Sequence, residues 1–590
     1  VDHKTNDSLF TSMHQFELKN ADLDMKNELV SLDNISLNKS SIKIAIGKIM
    51  LPADSNQNAP QKFDESSWIV KVENINMADN SIAYHQGNER GKSNTFNPNH
   101  QEYDHLTLIG KDLDYSPEKL HISIKEFSTI DQNQFSITQF ETDFLMDQHS
   151  ITVNNLKIKT THSFVNGEVN LHYTSLQSIK DSLPFLIANI DLKRANISNR
   201  DILYFSPQLH EQAFFEDKSV MTTISGKVTG MVNNLTGKNL TITTGNQTSI
   251  RSDFIIKGLP ELHTAQFNFP NLSVISGKKD LEIIAGSSIP KNLELPEIIK
   301  LEIDFNGRLN DFKSTVVMDG SFGAAHLFAT LDSKENFHIK ASLGNFNLGQ
   351  LFMDTTLFGP VSLDLEANGH GLDPDIIKTS ITTEVSAIYF NKYTYHHLSI
   401  DGSANGRQFQ GKISMNDKNA IFDFDGLVNI TPNKERFKFN LNIQGADLQK
   451  LHFTDDDIRF GLSATADLTG ISANTINGSA GIKNLIVIQN GEEYELDSLI
   501  LTMSNGINRS ELDIISPLVG LKYQGSVSPA IIPSVLNHFI GNYFTFSDSL
   551  QPDYDFKADN FSFELKPHNH PLLTEVLFPE LSEFEPGAIQ

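Results

Sequence analysis

The stretch Phe437-Lys438-Phe439-Asn440-Leu441-Asn442-Ile443-Gln444 decides the fold class. Large apolar side chains alternate with polar ones, and a period of two is what a half-buried β-strand requires, because successive side chains leave a strand on opposite faces. The same alternation occurs at Leu301-Ile303-Phe305 against Glu302-Asp304-Asn306. It recurs at Leu120-Ile122-Ile124, Val169-Leu171-Tyr173, Ala265-Phe267-Phe269, Phe337-Ile339-Ala341-Leu343 and Val361-Leu363-Leu365. Each strand has one oily and one wet face, the pattern of antiparallel sheet. Between strands, Asn477-Gly478, Asn490-Gly491 and Asn505-Gly506 predict tight turns.

The polar stretches 52–66 and 87–103 read as surface loops. No shift in composition marks a boundary, so 1–590 reads as one continuous module. Short helices are expected at 175–183, 200–215 and 534–544. In the last, Val535, Leu536, Phe539, Ile540 and Tyr543 form a stripe at helical spacing, and the polar side has no Lys or Arg for a membrane surface. A small helix capping the sheet is the preferred reading.

Composition narrows the function. The 590-residue chain carries 73 acidic and 47 basic residues, a net charge of −26. Such a surface repels phosphate backbones and anionic membrane faces, and no basic stripe with interleaved aromatics is present, so nucleic acid is not an expected partner. The absence of cysteine excludes disulfide scaffolds, thiol catalysis and the usual structural zinc sites. Aromatic usage is lopsided, with 40 Phe against 12 Tyr and a single Trp, and Phe suits surroundings that are apolar throughout. No signal peptide and no apolar run of bilayer-spanning length is visible, so any export signal or anchor is expected outside this stretch.

Imperfect internal echoes are present. Val228-Thr-Gly230 through Gly237-Lys-Asn-Leu240 resembles Leu468-Thr-Gly470-Ile471 through Ile476-Asn-Gly478 and Asn484-Leu485. Phe346-Asn-Leu348-Gly-Gln-Leu351 resembles Ala446-Asp-Leu448-Gln-Lys-Leu451, each following an alternating strand. No strict period holds. On these echoes the chain resembles the AsmA-like/TamB family. Phe453-Thr-Asp455-Asp-Asp457-Ile458, Asp201-Ile-Leu-Tyr-Phe-Ser-Pro207-Gln-Leu209, Phe563-Glu-Leu-Lys566, Pro571-Leu-Leu573 and Leu577-Phe-Pro579-Glu-Leu581 are similar to TamB-type proteins of Bacteroidetes-like bacteria.

The resemblance covers most of the chain in style and about a fifth in specific motif, and it implies the middle portion of a longer protein. It implies an all-β fold: an elongated, curved antiparallel sheet forming a long hydrophobic groove, with a few short helices. About 40 strands at ~4.8 Å each would give an element roughly 190 Å long. It further implies a periplasmic location with an inner-membrane anchor outside this stretch, phospholipid transport or outer-membrane protein assembly, and a BamA-type outer-membrane barrel as partner. The expected lining residues, acting collectively, are Phe267, Phe269, Ile303, Phe305, Phe437, Phe439, Leu441 and Ile443. Two rival readings are an outer-membrane protein assembly chaperone that adds client strands to its edges by β-augmentation, and a surface adhesin or structural stalk with a closed core.

Catalysis and metal binding are not expected, and no cofactor is implied. The chain has no nucleophile elbow, phosphate-binding loop, zinc-protease helix or EF-hand loop. His396 and His397 adjoin on a strand, where neighbours point to opposite faces. His568 and His570 precede Pro571, which suggests a turn. Asp455, Asp456 and Asp457 lack the Gly and bidentate Glu of a calcium loop. Asp553 and Asp555 read as a wet strand face rather than a catalytic carboxylate pair.

Overall fold

The computed structural model describes residues 7–46, 67–87, 94–285, 289–472, 474–506, 509–526, 528–531 and 560–577. These residues form 32 strands with short helices between them. The fold is all-β, an unclosed and mostly antiparallel sheet. The strands are fewer than the expected ~40 because many are long: Ile69–Gln86 has 18 residues and His100–Ser116 has 17.

The chain divides into two compact units, Val1–Lys291 with Leu295–Ser321, and Phe322–Gln590 with Asn292–Glu294. In the first, strands from Ile69–Gln86 to Asp311–Gly320 each pair antiparallel with the next in sequence. The start of this unit departs from the expected pattern. Leu29–Asn38 and Ser41–Ile46 run parallel to Ile69–Gln86, and Ser8–Ser12, Gln15–Lys19 and Asp22–Asp24 pair antiparallel against them as an outer edge. In the second unit the same antiparallel succession runs from Gly323–Leu331 to Phe561–Pro567.

Turn chemistry is partly as expected. Asn490 and Gly491 both have positive φ, 54° and 89°, and join two strands as a two-residue hairpin turn. Asn505-Gly506 opens a connection, but Asn477-Gly478 begins a strand. The reason is local: the Asn477 side chain accepts the Asn505 N–H at 2.6 Å, and Asn505 Nδ2 donates to the Ile476 carbonyl at 2.8 Å. The loop expected at 87–103 ends early, because His100 already starts a strand. The loop expected at 52–66 and the helix expected at 534–544 lie outside the described residues.

The helices are shorter than expected. The first is split into Ser178–Asp181 and Leu183–Phe185, and the second into Asn199–Phe205, Pro207–Glu211 and Ala213–Glu216. Pro184 and Pro207 each sit in the first turn of a new piece, where no N–H is needed. The echoed Leu-x-x-Leu segments share one device. Asn347 Oδ1 accepts the Gln350 N–H at 3.0 Å and Asp447 Oδ1 accepts the Lys450 N–H at 3.0 Å, so each capped turn stops its strand.

One helix that alternation did not reveal, Lys278–Ala285, shows what these turns hold. Its Asp280 is buried and accepts the N–H groups of Gln247 at 2.8 Å and Asn246 at 3.1 Å, and the Thr248 hydroxyl at 2.9 Å. The helix is thereby pinned to the neighbouring hairpin. Burial disfavours the charged form of Asp280, but these donors outweigh it and hold the carboxyl below its ordinary range. A carboxylate depressed in the folded state stabilises above its unfolded pKa, about 3.9, and that contribution is lost as pH falls through the folded value. We expect Asp280→Asn to cost about 1–3 kcal/mol at pH 7 in urea denaturation. The loss of stability between pH 6 and pH 3 should be smaller in the variant than in the unaltered chain.

Candidate functional site

A strand turns over with each residue, so a continuous apolar face needs the sequence and the register to agree. In Gln266–Gly277 the apolar positions change parity, from Phe267 and Phe269 to Leu272 and Val274. The structure has a register shift between Phe269 and Leu272, so Phe269 faces Phe305, Leu272 faces Ile303 and Val274 faces Leu301. The extra residue of a bulge flips the parity back and keeps all of them on one face. Pro270 sits in this bulge, where its missing N–H does no harm. In Arg436–Asp447 the same shift falls between Ile443 and Ala446.

All eight expected lining residues lie on such a face, in two separate patches. Phe267, Phe269, Ile303 and Phe305 belong to the first unit, and Phe437, Phe439, Leu441 and Ile443 to the second. All eight are half-buried, whereas Glu302, Asp304, Asn306, Lys438, Asn440 and Asn442 on the opposite face are exposed. Within the second unit the register carries the face from strand to strand: Ile400, Ile413, Phe424, Leu441, Ala464, Ile482 and Leu499 are successive cross-strand partners. Six steps of ~4.8 Å give this lane a length of about 29 Å, close to the thickness of a bilayer's hydrocarbon core. Every residue in it is half-buried.

The sequence reading missed the glycines that shape this face. Phe439 stands opposite Gly426, and Gly307 is flanked by Phe267 and Phe312. A Cβ on Gly426 would collide with Cα and Cβ of Phe439 and with the Lys438 carbonyl, so the bare backbone is what admits the close approach of the neighbouring strand there. Around these positions Phe424 and Phe439 have ring centroids 5.4 Å apart, and Phe305 and Phe312 stack at 5.3 Å. The signal was present as Phe and Gly both being frequent, but pairing across strands is invisible without register.

Some fully buried apolar residues lie where capped turns meet strand ends, and others, such as Val72, Ile75 and Val385, lie within strands. Leu451, in the Asp447-capped turn, is 3% exposed and packs with Tyr395, Met415 and Ala420. The histidine and aspartate clusters resolve into local contacts. His397 has φ 52°, so simple alternation fails there, and its ring centroid lies 6.4 Å from that of His396. His396 Nδ1 lies 3.2 Å from the buried Asp417, which also accepts the Tyr393 hydroxyl at 2.6 Å and the Asn419 N–H at 2.9 Å. His570 Nδ1 accepts the Leu572 N–H at 3.3 Å, and Asp457 pairs with Arg459 at 3.5 Å. Asp553 and Asp555 lie outside the described residues. Among the described residues, no group of three His, Asp or Glu side chains is placed to hold a metal, and no helix is long and apolar enough to cross a membrane.

No protein-family model, curated protein or solved structure matches the chain. Function therefore rests on the chemistry of the two apolar patches.

Half-burial separates an open face from a closed core, in which facing side chains are almost wholly covered. We expect Leu451→Ala to cost about 2–5 kcal/mol, and Leu441→Ala less than about 2 kcal/mol, since only part of its surface leaves water on folding. Chemical denaturation followed by circular dichroism measures both. Equally large losses would mean that the Leu441 face is packed shut.

Proposed function

We propose that this chain is a non-enzymatic lipid-handling protein of the AsmA-like/TamB kind, whose apolar faces hold phospholipid acyl chains during passage between the inner and outer membranes. The observation that supports this is the unbroken, half-buried apolar lane from Ile400 to Leu499, with a mainly polar opposite side on which Asp401, Lys412, Asp423, Asp425, Asn440 and Asn442 are exposed.

The energetics suit a conduit. Burying a methylene from water is favourable by about 0.8 kcal/mol, so a two-chain lipid of roughly 30 methylene equivalents gains on the order of 20 kcal/mol gross. Relative to a bilayer the same transfer is nearly neutral, so a lipid is protected from water without being trapped. Dispersion and the hydrophobic effect have no directional demands, and a lane of Ile, Leu, Phe and Ala therefore binds acyl chains without selecting among them. The same reading carries a periplasmic location in a Gram-negative bacterium and a BamA-type barrel as the partner at the outer membrane.

Native mass spectrometry and lipid extraction of the purified chain test this reading. Phospholipid should co-purify, and Phe305→Asp with Phe439→Asp should abolish it in a chain that keeps its β circular dichroism. A lipid-free protein that also refuses added fluorescent phospholipid would overturn the proposal.

A further inference from the structure

The outer edge of the first unit is the least protected strand in it. Ser8–Ser12, Gln15–Lys19 and Asp22–Asp24 pair on one side with Ser41–Ile46 and Leu29–Asn38, and have no neighbour on the other side among the described residues. Every residue of Gln15–Lys19 is exposed. Sheet edges are normally guarded by charge, proline or bulges, because their free N–H and C=O groups recruit other strands. This edge carries charge at Glu17, Lys19 and Asp22, but it also displays Leu9, Phe10, Phe16, Leu18 and Leu23, each between 44% and 63% exposed.

The charge pattern along the edge selects its partner. We propose that this edge pairs antiparallel with the same edge of a second copy of the chain, about a two-fold axis at Leu18. In that register Leu18 faces Leu18 of the second copy, and Glu17 faces Lys19 twice over. Continued outward, it sets His14 opposite Asp22 and Met13 opposite Leu23. A register centred on Glu17 would oppose two like charges, and one centred on Phe16 would give Glu17 and Lys19 no charged partner in the second copy, only the 3.4 Å pair they make with each other. A one-residue slip would set the Phe16/Leu18 face against the polar face of the other copy.

The arrangement is isologous, so each contact occurs twice. In this register Ser12–Asp24 of each copy overlap, well short of the roughly 20–30 residues per partner of a standard interface, so the dimer is a weak one, on the order of micromolar. This inference does not depend on lipid binding.

Mass photometry and sedimentation velocity on the full chain test it. The unaltered chain should show a concentration-dependent monomer–dimer equilibrium. Glu17→Lys alone and Lys19→Glu alone each turn two opposite-charge pairs into two like-charge pairs and should weaken dimerisation about thirtyfold. A mixture of these two variants should form a heterodimer about as readily as the unaltered chain forms its homodimer, and the double swap should restore the homodimer. All these positions are exposed, so thermal unfolding should not change. A chain that stays monomeric at hundreds of micromolar overturns the proposal. So does a dimer insensitive to the single changes, or a mixture of the two variants that fails to associate.

Discussion

A β-strand presents alternate residues to opposite sides, and everything else in this molecule depends on keeping one side apolar despite that constraint. Over a strand of ten or more residues the bookkeeping is unforgiving, since one residue out of step moves every later side chain to the wrong face. The chain meets the constraint with bulges placed where its own alternation slips, as at Pro270 between Phe269 and Leu272 and at Gly445 between Ile443 and Ala446. Bulges at Asn155, Asn239 and Asn345 are left-handed positions, with φ near 50°, where asparagine is better tolerated than a branched residue. Register and sequence then agree from strand to strand, and apolar positions become apolar lanes.

What the lanes can do follows from how far they are covered. Where capped turns fold over strand ends, as at Leu451, side chains are buried and supply rigidity. Along the lane from Ile400 to Leu499 the same kind of side chain is only half-buried. Glycine opposite phenylalanine, as in the Phe439–Gly426 pair, lets the two strands approach closely where a Cβ would collide. Apolar area is thereby retained on side chains that stay half-buried, as the proposed lipid-handling role requires.

Much of the fold was legible because its signal is local. Period-two alternation needs no knowledge of partners, and it located strands such as Ile298–Arg308 and Arg436–Asp447 and put the eight named residues on one side of their strands. The parallel crossover at Leu29–Asn38 and Ser41–Ile46 was not legible, because a short alternating strand looks the same whichever way its neighbour runs. The helix Lys278–Ala285 was missed because its eight residues give barely two turns of periodicity directly after a strand. The buried Asp280 could not be told from a surface aspartate, since the donors that hold it come from Asn246, Gln247 and Thr248, more than thirty residues earlier. Opposite Phe and Gly residues share the same difficulty, because their partnership exists only in register.

The most direct test of an open, lipid-receiving face uses the absence of cysteine from the chain. Single cysteines at Ile303, Leu441 and Leu451 would be reacted with a small maleimide, with and without a short-chain phosphatidylcholine below its micelle concentration. Ile303→Cys and Leu441→Cys should react readily and be protected by the lipid, while Leu451→Cys should react slowly in both conditions. If all three react slowly, the face is closed; if the first two react at the same rate with lipid present, the face is open but does not receive acyl chains.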